Sequence, residues 1–213
     1  MKKQGTLVVL SGFAGTGKGT IMKELLSKHD SYALSISATT RNPRPGEVDG
    51  REYFFKTKEE FEAMIEAGEF LEHACYVGNY YGTPKQYVRE QLEAGKDVIL
   101  EIEIQGALSI KKQFPDALLL FVAPPSADVL KERLVGRGTE TADVIEQRLA
   151  RAVEESKGIE NYDYLVVNDD LDECVETVHQ MIQSAGWQMS RRESDVAELR
   201  RQISKFSRDE SVD

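Results

Sequence analysis

Residues 8–23 read VVLSGFAGTGKGTIMK, an apolar run that breaks into four glycines within eight residues. Glycine weakens strands and helices alike, so such a run is kept where the backbone must bend sharply or be approached closely. Gly12, Gly15, Gly17 and Lys18 give the spacing G-x-x-x-x-G-K, after a strand candidate at 6–10 and before a helical stretch. In that context successive backbone N–H groups and the positive end of a helix converge on an anion. The lysine then reaches the outer phosphates as a mobile point charge. A tight glycine turn explains the glycines, but not the strand, the lysine and the helix together. The usual motif follows the lysine with Ser or Thr, whose hydroxyl touches Mg²⁺. Here Gly19 follows, and Thr20 comes one residue later. The loop therefore predicts phosphate binding and leaves open which group meets the metal.

Five short apolar runs recur, at 6–10, 32–36, 97–103, 117–123 and 164–167. Nearly continuous apolar strands are the pattern of a parallel sheet covered on both faces, and the helical stretches between them make the chain α/β. Residues 51–84 depart from this pattern. Their strands are short and aromatic, and they surround TKEEFEAMIEAG, in which Thr57 and Glu60 have the spacing of a capping box. This predicts a small β-rich subdomain inserted into the parallel sheet. Residues 187–213 follow the last sheet element as an appendage with six positive and six negative charges. There Val196, Leu199, Ile203 and Phe206 form a narrow apolar stripe at spacings of three and four, expected to pack on the body or on a second subunit.

A length of 213 residues suits one such domain with a full core. No apolar run approaches the roughly 20 residues of a membrane helix, and the apolar stretch after Lys2 and Lys3 is too short for a secretory signal. The net charge of −10 argues against non-specific nucleic-acid binding, which needs a basic face, but not against a small phosphorylated ligand. Cys75 and Cys174 lie far apart, and His29, His73 and His179 are scattered, so neither a zinc site nor a disulfide framework is expected. These features suit a reducing cytoplasm.

The stretch SATTRNPRPGEVDGREYFF (37–55) holds Arg41 and Arg44 in a loop broken by proline and glycine, an arrangement suited to bidentate phosphate recognition or to a solvated basic loop. Glu72, Tyr81 and Thr83 follow around a turn, in FLEHACYVGNYYGTPKQ. Glu101 and Glu103, in EIEIQG, are expected on one face at the carboxyl end of a central strand, where ligands of open α/β sheets collect. With GRGTET and NDDL further on, these segments resemble guanylate kinases in order and spacing, over about residues 5–184.

The resemblance implies a P-loop parallel-sheet core with helices on both faces, at about 5–36, 84–134 and 158–186. It also implies a GMP-binding insert at about 37–83 and a helical lid at about 135–157, together making a domain of residues 1–186. It implies transfer of a phosphoryl group from ATP, with Mg²⁺, to GMP and dGMP, a step of purine nucleotide metabolism. For ATP it implicates Gly12, Phe13, Ala14, Gly15, Thr16, Gly17, Lys18, Gly19 and Thr20, with Arg137 and, near the adenine, Asn168. For the GMP phosphate it implicates Arg41, Arg44, Tyr53 and Tyr81, with Glu47 in support. Around the guanine stand Ser37, Glu72 and Thr83, with Glu103 a further candidate.

Thr20 and Glu101 are the metal-side candidates, the latter through water. Lys18, Arg41 and the lid arginines Arg133, Arg137 and Arg148 would carry catalysis. The base chemistry agrees independently for two residues. Guanine presents N1–H and a 2-amino group, which a carboxylate accepts together, and an O6 that suits a hydroxyl. Asn168 begins NDD, which is also good N-capping chemistry. Two other readings compete: a non-catalytic guanylate-kinase-like domain that binds a phosphorylated peptide, and a kinase for AMP or CMP. A homo-oligomer is compatible with either.

Overall fold

The glycine-bearing strand sits at the centre of the main sheet. In the computed structural model, which describes residues 4–76, 78–136 and 141–206, strand β1 (Leu7–Gly12) leads through the glycine loop into helix α1 (Lys18–Lys28). Strands β2 (Tyr32–Leu34), β3 (Ala38–Thr39) and β4 (Phe54–Phe55) follow, then helix α2 (Lys58–Glu66), strands β5 (Phe70–Tyr76) and β6 (Asn79–Pro84), and helix α3 (Lys85–Glu93). The chain returns through β7 (Asp97–Glu101), α4 (Ile104–Gln113), β8 (Leu118–Ala123), α5 (Ala127–Gly136) and α6 (Ala142–Ser156). It finishes with β9 (Tyr164–Val167), α7 (Leu171–Ala185) and α8 (Glu193–Ile203). Among the described residues no helix is long and apolar enough to cross a membrane.

The five strands expected from the apolar runs form a parallel sheet in the order β2-β7-β1-β8-β9. Side chains of β1 alternate between its faces. Val8 and Leu10 join Ile21 and Leu25 of α1 and Val178 and Ile182 of α7, while Leu7 and Val9 join Val88 of α3 and Ile110 of α4. Fully burying such a side chain contributes about 1.5–3 kcal/mol, so β1 is fixed from both sides and its carboxyl end is a rigid base for the loop.

Two expectations need correction here. The run at 164–167 is not buried throughout: β9 is an edge strand, and Tyr164, Leu165 and Val167 stay exposed while Val166 enters the core. The strand expected over 97–103 stops at Glu101, and Glu103 instead stands at the N-cap position of α4, without a side-chain cap bond. The alternation that placed Glu101 and Glu103 on one strand face therefore does not apply.

The aromatic segment forms a second sheet in the order β4-β3-β6-β5, with β3 and β4 parallel and the other pairs antiparallel. Its core is built from the rings the sequence supplied. Phe61 of α2 stacks on Phe70 at 4.4 Å and on Tyr80 at 5.4 Å. The capping box of α2 is present in both directions, Glu60 N–H to Thr57 Oγ1 at 3.1 Å and Thr57 N–H to Glu60 Oε2 at 2.8 Å.

The stripe on α8 does not pack on the body as expected. Leu199, Ile203 and Phe206 are more than half exposed, and only Val196 is half-buried. The segment before α8 makes the contact instead, through the Arg191 guanidinium donating to the Asp116 carbonyl.

Candidate active site

The glycine loop is shaped by close approach. A Cβ on Gly12 would lie 2.2 Å from the Val122 carbonyl oxygen of β8, so only glycine lets the loop leave the sheet there. Gly17, at the N-cap of α1, has φ +86°, and a Cβ on it would meet Asn168 Nδ2 at 2.6 Å. No side chain caps this helix, which leaves its first N–H groups directed at the loop's mouth. Phe13 contributes backbone only, because its ring is buried edge-on against Phe121 at 5.0 Å. Thr16 is also buried, its hydroxyl donating to the Phe13 carbonyl at 2.9 Å. Lys18 folds back over the loop, with Nζ donating to the carbonyls of Gly12 at 2.7 Å and Phe13 at 3.0 Å. Ala14 lies on the cleft side of the loop, and Gly19 and Thr20 are exposed in the first turn of α1.

Asn168 is buried just past β9, where its amide donates to the Thr16 carbonyl at 2.7 Å. It thereby clasps the glycine loop from the far side. Its own carbonyl accepts from Arg133 at 2.9 Å. The N-capping role that NDD suggested falls to Asp170, whose carboxylate accepts from Glu173 N–H at 3.0 Å.

On the acceptor side Arg41 and Glu47 form a two-point pair, with guanidinium NH2 at 2.9 and 3.0 Å from the two carboxylate oxygens. Glu47 also accepts from the Arg44 N–H at 2.7 Å. That backbone N–H first, and the Arg41 guanidinium second, hold the Glu47 carboxyl below the usual carboxylate range. The Arg41 guanidinium stands 5.3 Å from the centre of the Tyr53 ring, and the Tyr53 and Tyr81 rings are 6.1 Å apart. Arg41 is thus held by charge on one side and by a ring on the other, while the Arg44 residue is exposed. The Ser37 carbonyl accepts from Phe54 N–H at 2.9 Å and ties β4 to this loop.

Thr83 is fully buried, and its hydroxyl donates to Glu72 Oε1 at 2.7 Å. Burial pushes the Glu72 carboxyl up, and the Thr83 hydroxyl opposes that shift. Room for this carboxylate is made by Gly106, where a Cβ would come within 3.3 Å of Glu72 Oε2.

Glu101 reaches solvent at the end of β7 but is crowded by protein elsewhere; desolvation raises its pKa, and the charge of Lys18 pulls it back. A cleft of about 540 Å³ joins these parts: Gly12 and Lys18 of the loop, Tyr53, Glu101 and Glu103, and Arg148 and Arg151 of α6. Arg137 lies outside the described residues.

A family model described as guanylate kinase matches residues 4–185. The chain belongs to the guanylate kinase family. A guanylate kinase of Streptococcus thermophilus is 51% identical over 192 residues, covering 90% of this chain and 92% of that protein. One from Halalkalibacterium halodurans is 53% identical over 181 residues, covering 85% and 89%. A crystal structure of guanylate kinase from Anaplasma phagocytophilum aligns with TM-score 0.71 at 30% identity, covering 89% of this chain and 90% of that one.

Within this guanylate kinase-family site the sequence reading missed Arg151, Gly106 and the clasp of Asn168 on Thr16. The QGA segment carried a signal for Gly106, since a glycine in the first turn of a helix marks a close approach. Arg151 carried none: it stands in a charged helix and reads as one more solvated residue.

Proposed function

We propose that the cleft transfers the γ-phosphoryl group of ATP to the phosphate of GMP, and of dGMP, giving ADP and the nucleoside diphosphate. The observation that supports this reading is the shared cleft, where the phosphate loop with Lys18, the acceptor-side Tyr53 and the arginine-bearing α6 all face one space. The acceptor phosphate is already anionic, so no general base is required. One of its oxygens forms the new P–O bond as the bond from the γ-phosphorus to the β,γ-bridging oxygen breaks. Catalysis then rests on alignment and charge neutralisation.

In this assignment Gly12 to Thr20 cradle the ATP phosphates, Lys18 follows the migrating group, and Asn168 acts by fixing the loop. Arg41, oriented by Glu47, holds the acceptor phosphate together with Arg44, Tyr53 and Tyr81. Ser37, Glu72 and Thr83 frame the guanine, with Glu103 beside them. Arg133 supports the loop through Asn168, while Arg148, and Arg137 by family resemblance, stabilise the charge spreading over the transferring oxygens. Residues 37–83 serve as the acceptor-binding unit, and 135–157 as a lid that excludes water.

Among the described residues no group of three or more His, Cys, Asp or Glu could hold a metal alone. That fits Mg²⁺ carried by substrate phosphates, which keeps most of its water and takes one or two protein oxygens. Thr20 and Glu101 are the hard oxygens available to it, and it would offset charge between the β- and γ-phosphates.

The assay that tests this reading is ADP formation from ATP with and without GMP; a binding-only domain gives none. Arg148→Ala should lower kcat by roughly 10²-fold with little change in KM for GMP, because a lid group acts mainly in the closed state. A change confined to KM would contradict the lid assignment.

Homo-oligomer formation is assigned to the tail. Three of the four residues of its 3-4-3 stripe, Leu199, Ile203 and Phe206, are exposed, and an acidic first half (Glu193, Asp195, Glu198) and a basic second half (Arg200, Arg201, Lys205) suit antiparallel pairing with a second copy. Stopping the chain after Gly186 should lower the apparent mass in sedimentation while turnover per folded subunit stays within about twofold. A full chain that sediments as a monomer at all concentrations would contradict it.

A further inference from the structure

Arg151 lies one turn beyond Arg148 on α6, and both line the cleft opposite Lys18. Among the described residues its Nε–H donates to Glu155 at 2.9 Å, and an NH2 donates to Glu103 Oε2 at 2.5 Å. The second bond crosses from the lid helix to the end of the main sheet, between residues 48 apart in sequence. The sheet side of this contact is rigid. Glu103 begins α4, and the Ile102 carbonyl next to it accepts from the buried Ser11 hydroxyl at 2.7 Å, on the strand that leads into the glycine loop. Glu103 itself lines the cleft beside Glu101 and Tyr53.

We infer that Arg151 is a positioning residue, whose ion pair with Glu103 docks α6 onto the acceptor end of the cleft and so sets Arg148 over the transferring phosphoryl group. This rests on the phosphotransfer reading above. The pair is exposed, and exposed pairs add little stability. Its value is geometric: Glu155, on the same helix, orients the guanidinium, and the fork so held ties α6 to the sheet through Glu103. Misplacing a catalytic group by about 1 Å can cost on the order of 10²-fold in rate.

The test is a double-mutant cycle in kcat on the full chain, with Arg151→Ala, Glu103→Gln and the two combined. Arg151→Ala should lower kcat by roughly 10- to 100-fold, with KM for GMP and ATP within about twofold and melting nearly unchanged. Arg151→Lys, which keeps the charge but loses the planar fork, should recover only a small part of the loss. The combined variant should be no slower than the slower single variant, because both remove one contact. Multiplied losses in the combined variant, or an Arg151→Ala effect confined to KM, would overturn the inference. So would normal kcat in Arg151→Ala. The wild-type chain's own turnover of GMP tests the underlying reading separately, so failure of the cycle is not confused with failure of that reading.

Discussion

Lys18→Ala is expected to cut turnover by roughly 10²–10³-fold while the protein folds as before. The ammonium stands on the carbonyls of Gly12 and Phe13, at the mouth of the loop and outside the apolar clusters of the core. Its removal takes away the hydrogen bonds to these two carbonyls at a partly exposed site, and substitutions of that kind seldom cost more than about 1 kcal/mol. The lost charge matters far more in the reaction, where negative charge moves between phosphates and must be met at each point. It also acts on Glu101, whose carboxyl Lys18 holds down against burial; without Lys18 that carboxyl rises further. Steady-state rates with saturating ATP and GMP, measured beside thermal melting, check this. Near-normal activity would remove the loop from the mechanism.

Glu72→Gln should separate stability from function in the opposite sense. Burial raises the Glu72 carboxyl, so the folded chain binds that proton more tightly than the unfolded chain does. The resulting stabilisation is complete at low pH and is lost as pH rises through the folded value, so at neutral pH the fold carries an ionised, largely desolvated group. Glutamine has no such cost and still accepts from the Thr83 hydroxyl. The variant should therefore melt at or above the wild-type temperature at neutral pH, with the gap closing as pH falls into the carboxylate range. Its kcat/KM for GMP should nevertheless drop by roughly 10²–10⁴-fold, because the amide turns an N–H toward one of the two guanine donors. Unchanged GMP use would exclude Glu72 from the base pocket.

What could be read from the sequence was local. The glycine loop, the five apolar strands and the capping box of α2 depend on spacings of a few residues, and each is found there, although β2 and β7 both stop two residues short of their apolar runs. The pairing of Glu47 with Arg41 was also within reach, since both lie in one short loop. What could not be read depends on elements meeting in space. β9 reads as a buried strand until its position at the sheet edge exposes three of its four side chains. Glu103 reads as a strand residue until β7 stops two residues earlier. Arg151 acquires a partner only when α6 crosses to the sheet, and Gly106 acquires a reason only when Glu72 arrives from the second sheet. Asn168 looked equally fit for adenine or for a helix cap; the cap falls to Asp170, and the Asn168 amide holds the Thr16 carbonyl, a partner 152 residues away in sequence.

Base choice is the most direct test of guanylate kinase activity in this chain. With ATP as donor, kcat/KM is measured for GMP and for AMP on the unaltered protein. Glu72 and Thr83 form a hydrogen-bonded pair whose carboxylate is suited to the adjacent N1–H and 2-amino donors of guanine. AMP would instead turn the acceptor N1 toward a largely desolvated carboxylate and an amino group toward the site expected to receive O6. A pocket that leaves its polar groups unpaired rejects the wrong base strongly, so GMP should be preferred by roughly 10⁴-fold. Comparable constants for the two nucleotides would contradict the assignment of this pocket to guanine, and with it the acceptor named here.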